Sequence, residues 1–226
     1  MFVYYNTTIY KPNGIEGRSK LAQTKKLEVG GWELMMFSFM RIHEKQIFIG
    51  NLFFIVCCVF YLAWWLLAFK PTGAIAGMKT GWLLIPASIA GLYGVIQILR
   101  GILTETQASL LLPGGYILWG GIAVFAILLP VTVSLFKRPV TSELILIVGW
   151  GMLALAEINS LFGTGLFSNK LSVGFFMLIL ICVVVSLVCY ILYYRLGSRA
   201  GYIDGMVPLI LAAMVMAAIS FFMRYM

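Results

Sequence analysis

Six stretches of the chain are each about as long as a membrane is thick and almost free of charge: residues 47–69, 81–99, 116–136, 143–162, 171–194 and 205–223. A bilayer core of about 30 Å takes about 20 helical residues to cross, and inside it each backbone N–H and C=O must be satisfied within the segment. Six such stretches joined by short connections point to an all-α, polytopic transmembrane helix bundle of about six spans. Composition points the same way. The 226 residues are 62% hydrophobic and 11% charged, whereas soluble domains run at roughly 45–50% and roughly 25%.

One acid is set inside an apolar stretch. Glu157 lies in the second half of the fourth, ELILIVGWGMLALAEINSLF, and at about 1.5 Å per residue it stands about 21 Å along from Glu143, roughly two thirds of the way across. An acid near mid-bilayer costs about 2.5–3.5 kcal/mol on insertion scales, so such groups face protein or water. Glu143, Trp150 and Glu157 share a stripe at seven-residue spacing, and Ser160 joins them one turn on. Asn159 falls on nearly the opposite face of a regular helix.

Because alternate spans run in opposite directions, the start of the first and the ends of the second, fourth and sixth lie on one side. That brings Asn51, Gln97, Arg100, Glu157, Ser160, Ser220 and Arg224 to similar depths. The candidate site is therefore Glu157, Arg100, Gln97, Asn51 and Ser160, a polar layer near the N-terminal side. Pro86, Pro130 and Pro208 fall in the opposite half, where they free backbone groups and permit kinks. The competing structural reading has Glu157 reaching the interface, or forming one buried pair that fixes helix packing.

Residues 1–39 form a polar, basic arm that lacks the apolar core and cleavage site of a signal peptide. They read either as a cytosolic arm or as an extension ahead of a start at Met35, Met36 or Met40; the transmembrane domain is 40–226. Lys and Arg outside the arm divide five to six between the two sides, and the arm's five make it ten to six. The bias favours an N-terminus in the cytoplasm, and the cell membrane is the expected location. All tryptophans beyond the arm except Trp150 lie near span ends, as interfacial anchors do. Ala87 with Gly91, Ala90 with Gly94 and Ala213 with Ala217 repeat at the four-residue spacing of close helix contacts.

The net charge of +8 carries no run of basic residues interleaved with exposed aromatics, so nucleic acid is not expected as a partner. The lipid bilayer is; a small-molecule or lipid ligand and other membrane subunits also fit. Cys57, Cys58, Cys182 and Cys189 sit in apolar runs without a C-x-x-C pair, the spacing of neither a zinc site nor a disulfide framework. The single histidine, His43, cannot complete H-E-x-x-H, and the sequence holds no G-x-S-x-G or phosphate-binding loop. No cofactor is specified.

The leading expectation is a membrane protein that binds or translocates a small solute, ion or lipid through the polar layer. One alternative is a non-catalytic assembly or sensor subunit. The other is a lipid-modifying enzyme using Glu157 as acid or base with Arg100 on a headgroup, though it lacks a second carboxylate, a metal set, or a nucleophile with its base.

Overall fold

The computed structural model describes residues 40–69, 80–104, 114–136, 142–193 and 195–225. The arm, the loops 70–79 and 137–141 and the connector 105–113 lie outside the described residues. The chain divides into two units, Met1–Arg41 and Ile42–Met226, and every helix described belongs to the second.

Among the described residues, the regular structure is entirely helical. Helix α1 spans Ile42–Ala68; a 3₁₀ turn at Thr80–Leu83 leads into α2, Leu84–Thr104; then come α3, Gly114–Phe136, α4, Ser142–Gly163, α5, Asn169–Leu192, the short α6, Ser198–Asp204, and α7, Val207–Tyr225. Five runs are long and apolar enough to cross a membrane: Ile42–Ala68, Thr80–Leu103, Glu143–Gly163, Asn169–Leu192 and Ser198–Tyr225. Helix α3 adds a shorter apolar stretch, Tyr116–Val131. The protein is an integral, multi-pass helix bundle.

Helix ends differ from the sequence expectation in two useful ways. Helix α1 begins at Ile42, so His43 and Glu44 belong to its first turn and are buried. Pro86 and Pro208 fall in the first turns of α2 and α7, where a missing N–H breaks no intrahelical bond. Among the described helices only Pro130 is interior, in α3.

Helices α1 and α2 pack along their whole length, and glycines set their distance. A Cβ on Gly94 would stand 2.9 Å from the Gly50 carbonyl oxygen and 3.0 Å from the Phe54 nitrogen, and one on Gly101 would stand 2.8 Å from the His43 carbonyl oxygen. Backbone lies against backbone here, the close approach that small residues allow between membrane helices. The buried stripe of α2 is Ala87, Ala90, Gly94, Ile98 and Gly101. On α7 it is Ala212, Val215, Met216, Ile219, Ser220 and Met223; Ala217, expected in a seam, is exposed instead.

Helix α4 is the centre of the bundle. It packs against α3 and α5 and touches α2 and α7, and 56% of its membrane window is buried, against 28–33% for the other four spans. Its first half joins an apolar cluster of Leu144, Ile147, Val148 and Tyr190. By contrast α3 packs chiefly on α4 and turns Trp119, Ile122, Ile127 and Val133 outward, the face a lipid-contacting helix should carry.

Candidate functional site

The second half of α4 carries polar groups into protein rather than lipid. Residues 157–161 are buried without a break, so at this level the helix has no outer face. Glu157 is 0% exposed, as is Asn51 of α1. The Asn51 amide is the side chain that meets the Glu157 carboxyl, but the two stop short of a formed hydrogen bond: both carboxyl oxygens and both amide atoms are unpaired among the described residues.

The helices explain how they meet. Helix α1 has its main contacts with α2 and α7, and both of those also touch α4. The space between α1 and α4 is thus bracketed by two other helices, and Asn51 and Glu157 project into it from opposite walls. Asn51 stands about 14 Å from the start of α1 and Glu157 about 9 Å from the end of α4, on the same side of the bundle.

Three serines add to this layer. Ser160 is one turn beyond Glu157, Ser220 lies near the end of α7, and Ser172 near the start of α5; all are buried and their hydroxyls lack a partner among the described residues. A helical hydroxyl ordinarily bonds back to a carbonyl of the preceding turn. Ser186 does so to the Cys182 oxygen at 2.8 Å, and Thr164 to the Leu161 oxygen at 3.0 Å. Ser160, Ser172 and Ser220 keep their donors in reserve.

An aromatic lid closes the α4–α5 corner. Gly165, at φ +78°, makes the turn that a side chain would strain, and the Phe167 N–H then donates to the Leu161 oxygen at 3.1 Å. Phe167, 2% exposed, stacks on Phe175 at 5.7 Å between ring centroids, and Phe175 meets Phe222 of α7 edge-on at 5.4 Å. Helix α5 starts cleanly because Ser168 caps it, accepting from the Leu171 N–H.

Of the five residues singled out in the sequence, the structure buries Asn51, Glu157 and Ser160 in one half of the bundle. Gln97 is half-buried beside the α1–α2 seam, and Arg100 lies on the exposed face of α2. Asn159 is buried too, at 2% exposure, because α4 is enclosed on every side at that level. Sequence reasoning passed over Ser172 and Glu44, and weighed His43 only as a zinc ligand. A signal for Glu44 was present: Glu44, Asn51, Cys58 and Trp65 recur every seven residues and all four are buried.

The opposite half contains a cleft of about 330 Å³ lined by Trp65, Phe69, Tyr193, Leu196, Gly197, Ser198, Gly201 and Tyr202. Two of its polar groups are engaged by the fold. The Trp65 indole donates to the Tyr202 carbonyl and the Tyr202 hydroxyl to the Leu66 carbonyl, both at 3.1 Å, tying α6 to the end of α1. Among the described residues no three His, Cys, Asp or Glu side chains gather as a metal set.

Compared with known proteins, the chain matches no family model, no curated protein and no solved structure. Its chemistry has to be read from the layer itself.

Proposed function

We propose that the protein binds a small solute or ion in the layer around Glu157 and passes it across the membrane. The observation that supports this is a fully buried carboxyl whose two oxygens are unpaired among the described residues, facing an amide equally unpaired among them, inside a membrane helix bundle. Leaving such groups unmatched in a low dielectric costs several kcal/mol. A structural pair that served only packing would close its own hydrogen bonds. A lipid fits less well, since neither side chain has any exposed surface. We further propose that the N-terminus lies in the cytoplasm, on the Lys and Arg excess of the N-terminal side.

The test is to purify the full chain in mild detergent and identify small molecules and ions that co-purify, by mass and elemental analysis. A stoichiometric ligand retained by the native protein and lost in Glu157→Gln is the expected result. A ligand held equally by Glu157→Gln would take the site away from this residue.

A further inference from the structure

The half of the bundle that holds Glu157 also holds a second buried ionisable cluster, and one face of α1 connects the two. His43 and Glu44, each 5% exposed, occupy the first turn of α1 with His43 Nε2 3.7 Å from Glu44 Oε1. Glu44 lies two turns before Asn51 on the same buried stripe, about 10 Å along the axis. A helix carries residues seven apart on one face, so the carboxyl at the membrane edge, the amide and the carboxyl of α4 follow one line into the bundle.

The donor set narrows what travels along that line. Glu157, Asn51, Ser160 and Ser220 offer oxygen, the ligand of hard cations. They supply one formal negative charge. A monovalent cation would bring the layer to neutrality, whereas a divalent ion would leave a net positive charge in a low-dielectric interior. The other charged groups on the surrounding elements stand at helix ends: Arg100 at the end of α2, Lys170 at the start of α5, Arg224 at the end of α7 and Glu143 at the far end of α4 are all exposed, Lys45 in the first turn of α1 is half-buried beside Glu44 and about 9 Å along the axis from Asn51, and α3 carries none.

We infer that the Glu157 layer takes up a monovalent cation, sodium or a proton, and exchanges it with the N-terminal side through His43 and Glu44. This rests on the proposed function and adds to it a cargo class and a route. In the loaded state the cation's charge cancels that of Glu157. In the proton case a proton leaves the Glu44 carboxyl as the acid O–H forms at a Glu157 oxygen, and solvent on the N-terminal side then supplies a proton to Glu44, so the net change is one proton taken up. Glu44 and His43 act here as positioning residues on the route, and Glu157 and Asn51 as the site.

Infrared difference spectroscopy on the full chain in lipid reads this directly, because a protonated carboxyl has a carbonyl stretch that its ionised or cation-bound form lacks. The native protein should lose such a band when sodium is added or pH is raised, and Glu157→Gln should show no band to lose. After a rapid sodium or pH jump, Glu44→Gln should respond at least about tenfold more slowly, with its midpoint unchanged. A response at native rate in both Glu44→Gln and His43→Gln overturns the route while leaving the cation site. If Glu44→Gln does not fold, His43→Gln alone decides the route in the same way. A band indifferent to sodium and pH, in a protein whose co-purifying ligand depends on Glu157, overturns the cation class and leaves the proposed function standing. Absence of both band and ligand overturns both.

Discussion

The two halves of this bundle handle buried polar atoms in opposite ways. Towards the end of α1, Trp65 and Tyr202 each give their hydrogen to a backbone carbonyl at 3.1 Å, and in α5 Ser186 bonds back to its own helix. Asp204 and Trp150 depart from that pattern: Asp204 Oδ2 is unmatched among the described residues although its carboxyl meets the Cys189 thiol, and the buried Trp150 indole in the first half of α4 has no partner among them either. Towards the start of α1, Asn51, Glu157, Ser160, Ser172 and Ser220 are also buried and yet unmatched among the described residues. Burial of unsatisfied groups opposes folding, so the second half gives up stability that the first half and the α1–α2 seam supply. That asymmetry is what a binding layer held in a rigid frame would show.

The largest expected effect tests the frame. Gly94→Val puts a branched side chain where even a Cβ would be 2.9 Å from the Gly50 oxygen and 3.0 Å from the Phe54 nitrogen. Both neighbours are backbone and cannot swing aside. Thermal unfolding in detergent should show a loss of about 3 kcal/mol or more, and ligand binding should fail with it because Asn51 follows Gly50. A variant as stable as the native protein would mean that α1 and α2 can separate without consequence, and the rigid-frame half of the comparison would go.

Next comes a pair of substitutions with opposite signs. Glu157→Leu removes the buried carboxyl and fills its space with apolar atoms, so it should stabilise the protein by about 1–3 kcal/mol while abolishing ligand retention. Trp65→Phe removes a hydrogen bond that is made, leaving the Tyr202 carbonyl unmatched, and should destabilise by about 1 kcal/mol with retention intact. Both are read by melting curves in the same detergent. If Glu157→Leu destabilised the protein instead, the carboxyl would be part of the packing after all, and the contrast between the halves would lose its meaning.

How much of this could be read from the chain depends on which coordinate of a helix is asked for. Position along the axis is legible: exclusion of charge from six runs fixes the bundle, and counting residues puts Asn51, Glu157, Ser160 and Ser220 at similar depth. Rotation about the axis is harder. Gln97 and Arg100 have suitable depth, but the stripe that α2 turns inward is the small-residue one ending at Ile98 and Gly101, which leaves Arg100 outside. The centrality of α4 is not legible at all, since an apolar residue facing lipid and one facing protein look alike in sequence. That is why Asn159, which regular helix geometry sets on the face away from Glu157, still turns out to be buried.

The smallest effect separates hydroxyls that look equivalent. Ser160, Ser220 and Ser186 are all buried in membrane helices, and Ser→Ala removes one oxygen from each. At Ser186 the lost bond is to its own helix, at 2.8 Å to the Cys182 oxygen, and that carbonyl keeps its helical N–H partner, so stability should change by no more than about 0.5 kcal/mol and ligand affinity not at all. At Ser160 and Ser220 no bond among the described residues is lost, so stability should hold or rise slightly. Affinity should fall by about fivefold to tenfold, the worth of one neutral hydrogen bond or ion contact. Titration of the purified variants with sodium, and separately with protons, measures this. Equal behaviour at all three serines would indicate that an unmatched hydroxyl in this bundle is a matter of rotamer alone, and the layer would contract to Glu157 and Asn51.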